Sequence, residues 1–378
     1  MTKQYNKTLA PFSFKNGLIL ENRMVMAPMT TWSANDDGTV SNQEIDYYRR
    51  RVKGMGMVIT GSTSVAANAI GFSNQFAGYD DKFIPSLTRL ADSAKSGGSK
   101  AILQILHAGN KTNTDLVDQK DIVSASNVLT KESTFVESFS PRALTEEEIL
   151  GIIKAFGETT RRAIVAGFDG VELHGAFGFL FQNFLSPYYN KRHDQWGGSL
   201  ENRMRFALAV IDEIQSVIKH YAKGPFILGY RITLEEHLDG GLRLHDSLAL
   251  IDELIKRDVD YVHVTLNNVL TSKPIGSSDT DANYLETLVK HINHRITLIS
   301  AGTLDTPDQA EKALDEGLDL AAVAHGLIMN PDWAEMVKKG NTNGIERQLH
   351  VSKLADMKLP DKLWQMIENS GDWFDIVK

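Results

Sequence analysis

Several short apolar runs in this chain end on, or contain, a residue that can hydrogen-bond or move a proton. Thr30 follows Ala27-Pro28-Met29, and Gln104 and His107 lie in one run. Glu172 and His174 close another, Arg231 sits in a fifth, and Gly302-Thr303 and Ala324-His325 finish the last two. Together with Gly61 they bring an amide, a guanidinium, hydroxyls and imidazoles. No cluster of carboxylates is among them, so a magnesium site is not expected. No lysine ends a run, so a Schiff base is not expected either; the metal expectation is none. The inventory suits a flat heterocycle with several carbonyl and ring-nitrogen acceptors. Gln104 can donate and accept, and Arg231 in an apolar run is costly to bury without an acceptor.

These residues need elements that gather them at one place. The runs are Met24–Met29, Met57–Gly61, Ala101–His107, Gly170–His174, Phe226–Ile232, Tyr261–Leu266, Ile296–Ala301 and Leu320–His325. Each is short and nearly continuously apolar, as parallel strands buried on both faces are. Helical stretches alternate with them. Thr145 with Glu148 and Thr306-Pro307 with Gln309 make capping boxes, and Gly317 ends the second helix. Met204, Leu208, Ile211, Ile214 and Ile218 form one apolar stripe. Eight strands each followed by a helix predict the α/β class and a (β/α)8 TIM barrel, whose working residues lie at the C-terminal strand ends. Phe12–Leu20 reads as a hairpin turning at Lys15-Asn16-Gly17 and plugging the barrel bottom. The polar, weakly periodic stretch Ala108–Leu144 reads as a lid-like insertion after strand 3. The whole chain, 1–378, is expected to be a single domain with its core at about 22–340 and a helical extension at 341–378, anchored by Trp364 and Trp373.

Composition narrows the function. The 378 residues are 42% hydrophobic and carry 40 basic against 48 acidic side chains, a net charge of -8. That balance gives no footprint for nucleic acid. No apolar run reaches the roughly 18–20 residues of a membrane span, and the polar start lacks a signal core. The expectation is a cytoplasmic protein with no nucleic-acid or membrane partner; oligomeric state is left open, with a homodimer as one option. Cysteine is absent, which excludes disulfides, thiolate zinc, a cysteine nucleophile and a cysteine-held iron–sulfur cluster.

Four segments carry a resemblance. Asn22-Arg-Met-Val-Met-Ala-Pro-Met-Thr30, Gln104-Ile-Leu-His-Ala-Gly109, Gly170-Val-Glu-Leu-His174 and Trp196-Gly-Gly-Ser-Leu-Glu-Asn-Arg203 resemble, in this order, the old yellow enzyme family of FMN-dependent oxidoreductases. The resemblance runs from about Asn22 to about residue 340. It implies FMN as cofactor and NAD(P)H as reductant, with a small-molecule electron acceptor. It implies that the backbone of Ala27, Pro28 and Met29 passes along the isoalloxazine and that Thr30 bonds near flavin O4. Gln104 would face O2 and N3–H, Arg231 would lie by N1 and O2, and Gly61 would admit the ring edge. Gly302, Thr303, Ala324 and His325 would hold the phosphate, and His174 would hold the substrate oxygen as the catalytic residue. Without cysteines or length for a further domain, the chain sorts with the short, single-domain members.

Two departures matter. The family usually places Asn or His three positions after the strand-4 histidine, and a proton-donating Tyr two further on. Here these are Phe177 and Phe179. The pocket, with Trp32 either lining it or packing in the barrel mouth, is therefore expected to favour acceptors needing little proton donation: quinones, nitro compounds or flat aromatics stacking on both phenylalanines. The alternative is a flavin-binding or stress-response protein whose ene-reductase activity has decayed. At the phosphate end, the usual Gly-Arg is Ala324-His325. A histidine's charge depends on pH, so FMN retention is expected to be weak, and weaker at higher pH.

Overall fold

The computed structural model describes residues 4–130 and 138–378. Its eight central strands are β1 (Met24–Met26), β2 (Met57–Ile59), β3 (Lys100–Leu106), β4 (Gly170–Gly175), β5 (Ile227–Ile232), β6 (Tyr261–Thr265), β7 (Thr297–Ala301) and β8 (Leu320–Val323). Every neighbouring pair is parallel, and β8 returns to β1, which closes the barrel. β1 and β8 are shorter than their apolar runs. The last ladder bond goes from Ala27 N to Val323 O at 3.0 Å, and the next residue, Pro28, has no N–H to continue it.

Helices follow the strands: α1 (Asn42–Arg51), α2 (Ile84–Lys95), α3 (Glu146–Val165), α4 (Leu200–Tyr221), α5 (Leu244–Lys256), α6 (Tyr284–Ile292), α7 (Pro307–Asp315) and α8 (Trp333–Lys338). The capping boxes at Thr145–Glu148 and Thr306–Gln309 are both formed. Met204, Leu208, Ile211 and Ile214 are buried along α4.

Side chains alternate in and out along each strand. The inward set at the bottom is Val25, Met57, Ile59, Ile102, Ile227, Tyr261, Ile299 and Leu320, packed against Phe14, Leu18 and Leu20. Those last three come from the hairpin, in which Phe12–Ser13 pairs antiparallel with Ile19–Leu20. Phe14 is 3% exposed, a burial that contributes about 1.5–3 kcal/mol. The expected plug is therefore present.

The insertion after β3 has its own small core of Leu116, Val117, Ile122 and Phe139. Val123–Ser124 pairs with Arg142–Ala143, and Arg192 Nη1 donates to Ala125 O and Leu144 O at 2.9 and 2.7 Å. These contacts fasten it to the loop after β4. Residues 131–137 of the expected lid lie outside the described residues. The C-terminal extension carries the helices Leu354–Met357 and Asp361–Asn369 together with a parallel strand pair, Leu349–His350 with Ile376–Val377.

Candidate functional site

The polar strand ends converge at the C-terminal mouth, above the plug. Gln104 on β3, Glu172 and His174 on β4, Arg231 on β5 and His263 on β6 all point inward. The register sets Glu172 beside Gln104, and His174, Arg231 and His263 side by side. Glu172 is fully buried and accepts from Gln104 Nε2 at 2.7 Å. His263 Nδ1 lies 2.9 Å from its other oxygen. Burial works to raise the Glu172 pKa, but His263 and Arg231 beside it and the Gln104 bond hold it below the ordinary carboxylate value. Glu172 thus works inside the barrel as a buried counter-charge. Neither His263 nor Tyr261, whose hydroxyl burial and the Glu172 charge push well up, was read from the sequence as part of the site. The available signal was a polar residue at an inward position, two residues from the next, in an otherwise apolar strand.

Arg231 is 6% exposed, and among the described residues only its Nε has a protein acceptor, Thr265 Oγ1 at 2.9 Å. Burial draws its pKa below the guanidinium norm while Glu172 opposes this. Its terminal nitrogens are left for a further acceptor. Gln104 likewise spends one amide hydrogen on Glu172 and keeps its carbonyl oxygen and second hydrogen.

Gly61 follows β2. Its N–H donates to Tyr48 Oη at 2.8 Å, and a Cβ there would sit 2.8 Å from Met29 O, so the backbone runs tight beside Met29. Thr30 and Met29 are half-buried at the lip. Thr31 donates to Glu44, a fully buried carboxylate on α1 that burial raises to about 7. Gly302 and Thr303 follow β7 at φ 146° and 50°. A Cβ on Gly302 would fall 2.1 Å from Leu266 O. The N–H groups of Gly302, Thr303 and His325 have no protein acceptor among the described residues. The donors, free amides and tight glycines fit a flat ring with a phosphate tail: Gln104, Arg231 and Thr30 would hold the ring, and these amides the phosphate.

His174 is 5% exposed. Burial, then the Arg231 charge, keeps its pKa well below 6.5, so the ring is neutral. Nδ1 accepts from Ala176 N at 3.4 Å, which puts the proton on Nε2. That N–H is a fixed donor at the open face.

The two phenylalanines part company. Phe177 is 52% exposed at φ 56°, with the Arg231 guanidinium 5.1 Å from its ring centroid. Phe179 is 4% exposed, in a small core with Leu106, Ala108 and Phe72. Its ring meets His174 edge-on at 4.6 Å. The expectation that both offer a stacking face is corrected: Phe177 can, whereas Phe179 backs His174. Trp32 touches Phe72 and Trp373 edge-on at 6.2 and 6.3 Å. An arc of rings therefore runs round the mouth from His174 through Phe179, Phe72, Trp32 and Trp373 to His325.

His325 needs a second correction. Its Nε2 accepts from Trp373 Nε1 at 3.0 Å, and its ring lies 4.6 Å from Phe374. Burial lowers its pKa, with Asp305 opposing. The Trp373 bond and the burial both work against a charged His325, the premise of the expected pH dependence.

Other motif residues prove to be structural. Arg203 donates to Leu185 O and Gly198 O and pairs with Asp246 at 3.0 Å, so the Trp196–Arg203 segment clamps the loop after β4. Glu236 accepts from Gln182, Ser186 and Leu242 N. His107 is buried, its Nδ1 accepting from Gly109 N. Among the described residues no group of three or more histidines and carboxylates is placed to hold a metal, and no helix is long and apolar enough to cross a membrane.

Comparison with known proteins identifies the family and the fold. The family model for the NADH:flavin oxidoreductase / NADH oxidase family matches residues 7–343. A probable NADH-dependent flavin oxidoreductase of Bacillus subtilis is 40% identical over 373 residues, 99% of this chain and 99% of the relative. An old yellow enzyme homologue from Zymomonas mobilis has the same fold, with a TM-score of 0.75 at 22% identity over 88% of this chain and 93% of that one. Morphinone reductase in complex with tetrahydroNAD gives 0.74 at 26% identity, over 89% and 91%.

Proposed function

Given that the chain belongs to the NADH:flavin oxidoreductase / NADH oxidase family, we propose that it reduces flat electrophilic acceptors, quinones and nitro compounds ahead of simple enones. The family membership makes it an FMN-dependent NAD(P)H oxidoreductase of the old yellow enzyme type. FMN supplies hydride transfer between the nicotinamide and the acceptor; the side chains of this chain decide which acceptor is served.

Arg231 keeps a buried positive charge at the mouth, where negative charge would gather during reduction. Glu172 holds Gln104 and Arg231 in place beneath it. His174 Nε2–H donates to an acceptor oxygen. Phe177 presents an apolar ring and no hydrogen bond, and Phe179 carries no proton. The observation that carries the reading is this pairing of one neutral donor, His174, with two aromatic neighbours. A quinone or nitro group gathers charge on oxygen and can take its proton from water. An enone needs a proton at carbon, and a positioned donor typically contributes about 10²–10⁴-fold there.

The test is steady-state turnover of the yellow holoenzyme with NADH, comparing benzoquinone, a nitroaromatic and cyclohexenone. The quinone is expected to exceed the enone in kcat/KM by about 10²-fold or more. Equal turnover would overturn the acceptor preference. A second reading, a flavin-binding protein whose ene-reductase activity has decayed, is favoured by the same phenylalanines. Phe177→Asn, at the exposed position beside His174, separates the two: at least about a tenfold gain with cyclohexenone supports a working pocket short of a hydrogen-bonding partner, and no gain supports decay.

A further inference from the structure

The residues after the barrel pack back onto it, and their last segment reaches its mouth. Gly371–Trp373 is a single turn of 3-10 helix, and the strand Ile376–Val377 that follows pairs with Leu349–His350. This anchoring delivers Trp373 and Phe374 onto His325. The Trp373 ring touches Trp32 at 6.3 Å and His325 at 5.9 Å, both edge-on. Its indole N–H donates to His325 Nε2 at 3.0 Å.

An indole nitrogen only donates, so His325 Nε2 must present a lone pair. A neutral imidazole with a bare Nε2 carries its proton on Nδ1. Around the ring stand Trp373 and Phe374 from the C-terminal segment and one charged group, Asp305 from the loop before α7. Asp305 Oδ1 already accepts from Gly326 N at 3.0 Å. We infer that Trp373 is a positioning residue for the cofactor's phosphate end: it locks His325 as the neutral Nδ1–H tautomer, so that an oriented, pH-independent N–H serves where a charged side chain would otherwise pair with phosphate. The inference rests on the phosphate lying by Gly302, Thr303 and His325. It assigns a cofactor role to a residue about fifty positions beyond the last barrel strand.

A protonated His325 would bind phosphate more strongly through a charge-assisted bond, but Trp373 cannot share Nε2 with a proton. Burial, which lowers the imidazole pKa, acts in the same direction. The lock exchanges peak affinity for constancy with pH.

Two measurements test this. The first needs no variant: 15N spectra of histidine-labelled holoenzyme at pH 7 are expected to show His325 neutral with Nδ1 protonated, identified by the signal lost in His325→Gln. A protonated Nε2 overturns the inference. The second is the dissociation constant of FMN, read by flavin fluorescence, at pH 6.5 and pH 8.5. The wild type is expected to change by less than about twofold. Trp373→Phe keeps the ring and removes the N–H, so FMN is expected to bind about tenfold more tightly at pH 6.5 than at 8.5, one pKa unit's worth of linkage. Adding His325→Gln to that variant should abolish the difference. Flavin binding that is intact but equally pH-independent in Trp373→Phe overturns the positioning role. A protein that binds no FMN at all would instead defeat the reading of the site on which it rests.

Discussion

Phe177 adopts a left-handed backbone, φ 56°, which costs a non-glycine residue about 1 kcal/mol or more. Its ring is exposed, so little packing offsets that cost. Asparagine tolerates this conformation and would put a hydrogen-bonding group on the side where the Phe177 ring now meets His174, centroids 5.8 Å apart. Phe177→Asn is expected to stabilise the protein by about 0.5–1 kcal/mol and to raise enone turnover; a urea midpoint below the wild type would refute the strain argument. His107 gives a pH prediction. Burial pushes its pKa down to about 4, against about 6.5 in the unfolded chain. The folded state binds fewer protons at this position, so its contribution is complete above pH 6.5 and is lost as pH falls towards 4. By pH 5 the loss approaches about 2 kcal/mol. His107→Asn should therefore lose less stability than the wild type between pH 7 and pH 5 in urea titrations; parallel slopes would count against a neutral buried His107.

At the element scale, β7 ends where Gly302 passes under Leu266. Gly302→Ala places a Cβ 2.1 Å from a carbonyl oxygen at φ 146°, and is expected to cost about 3 kcal/mol or more and to weaken FMN binding. Wild-type stability and affinity would show that the loop relaxes freely. Helix α1 carries a different device. Glu44 and Arg51 are both fully buried, and Arg51 reaches the C-terminal extension through Met357 O at 2.7 Å. Arg51→Met removes its bonds to Tyr47 O, Leu327 O and Met357 O and leaves those buried carbonyls unpaired, which should cost about 3 kcal/mol. An unchanged urea midpoint would mean that other donors replace the guanidinium. The strands were legible because both faces are buried and the runs stay apolar. Their ends were less so: Pro28 stops the β1–β8 ladder before the apolar run ends.

For the whole molecule, the barrel, plug and C-terminal extension share contacts throughout. Arg50 pairs with Asp332 and Asp356 at 2.8 Å each, and Leu349, Leu363, Ile367 and Phe374 join the main core. Residues 341–378 are expected to unfold with the barrel, giving one calorimetric transition coincident with loss of circular dichroism. Two separated transitions would make the extension an independent unit.

Residue type and order alone were enough for the barrel, the bottom plug, the convergence of Gln104, His174 and Arg231, and the absence of polar side chains at positions 177 and 179. Local rules govern all of these: a strand buried on both faces must be apolar, and a parallel barrel must bring its C-terminal strand ends together. Three matters waited on tertiary structure. The Glu172–His263 counter-charge depends on which inward residues face one another across the barrel. The division of labour between Phe177 and Phe179 depends on a turn that points one ring out and the other in. The state of His325 depends on Trp373, which lies 48 positions away; sequence spacing carries no trace of a contact made only when the chain end folds back over the mouth.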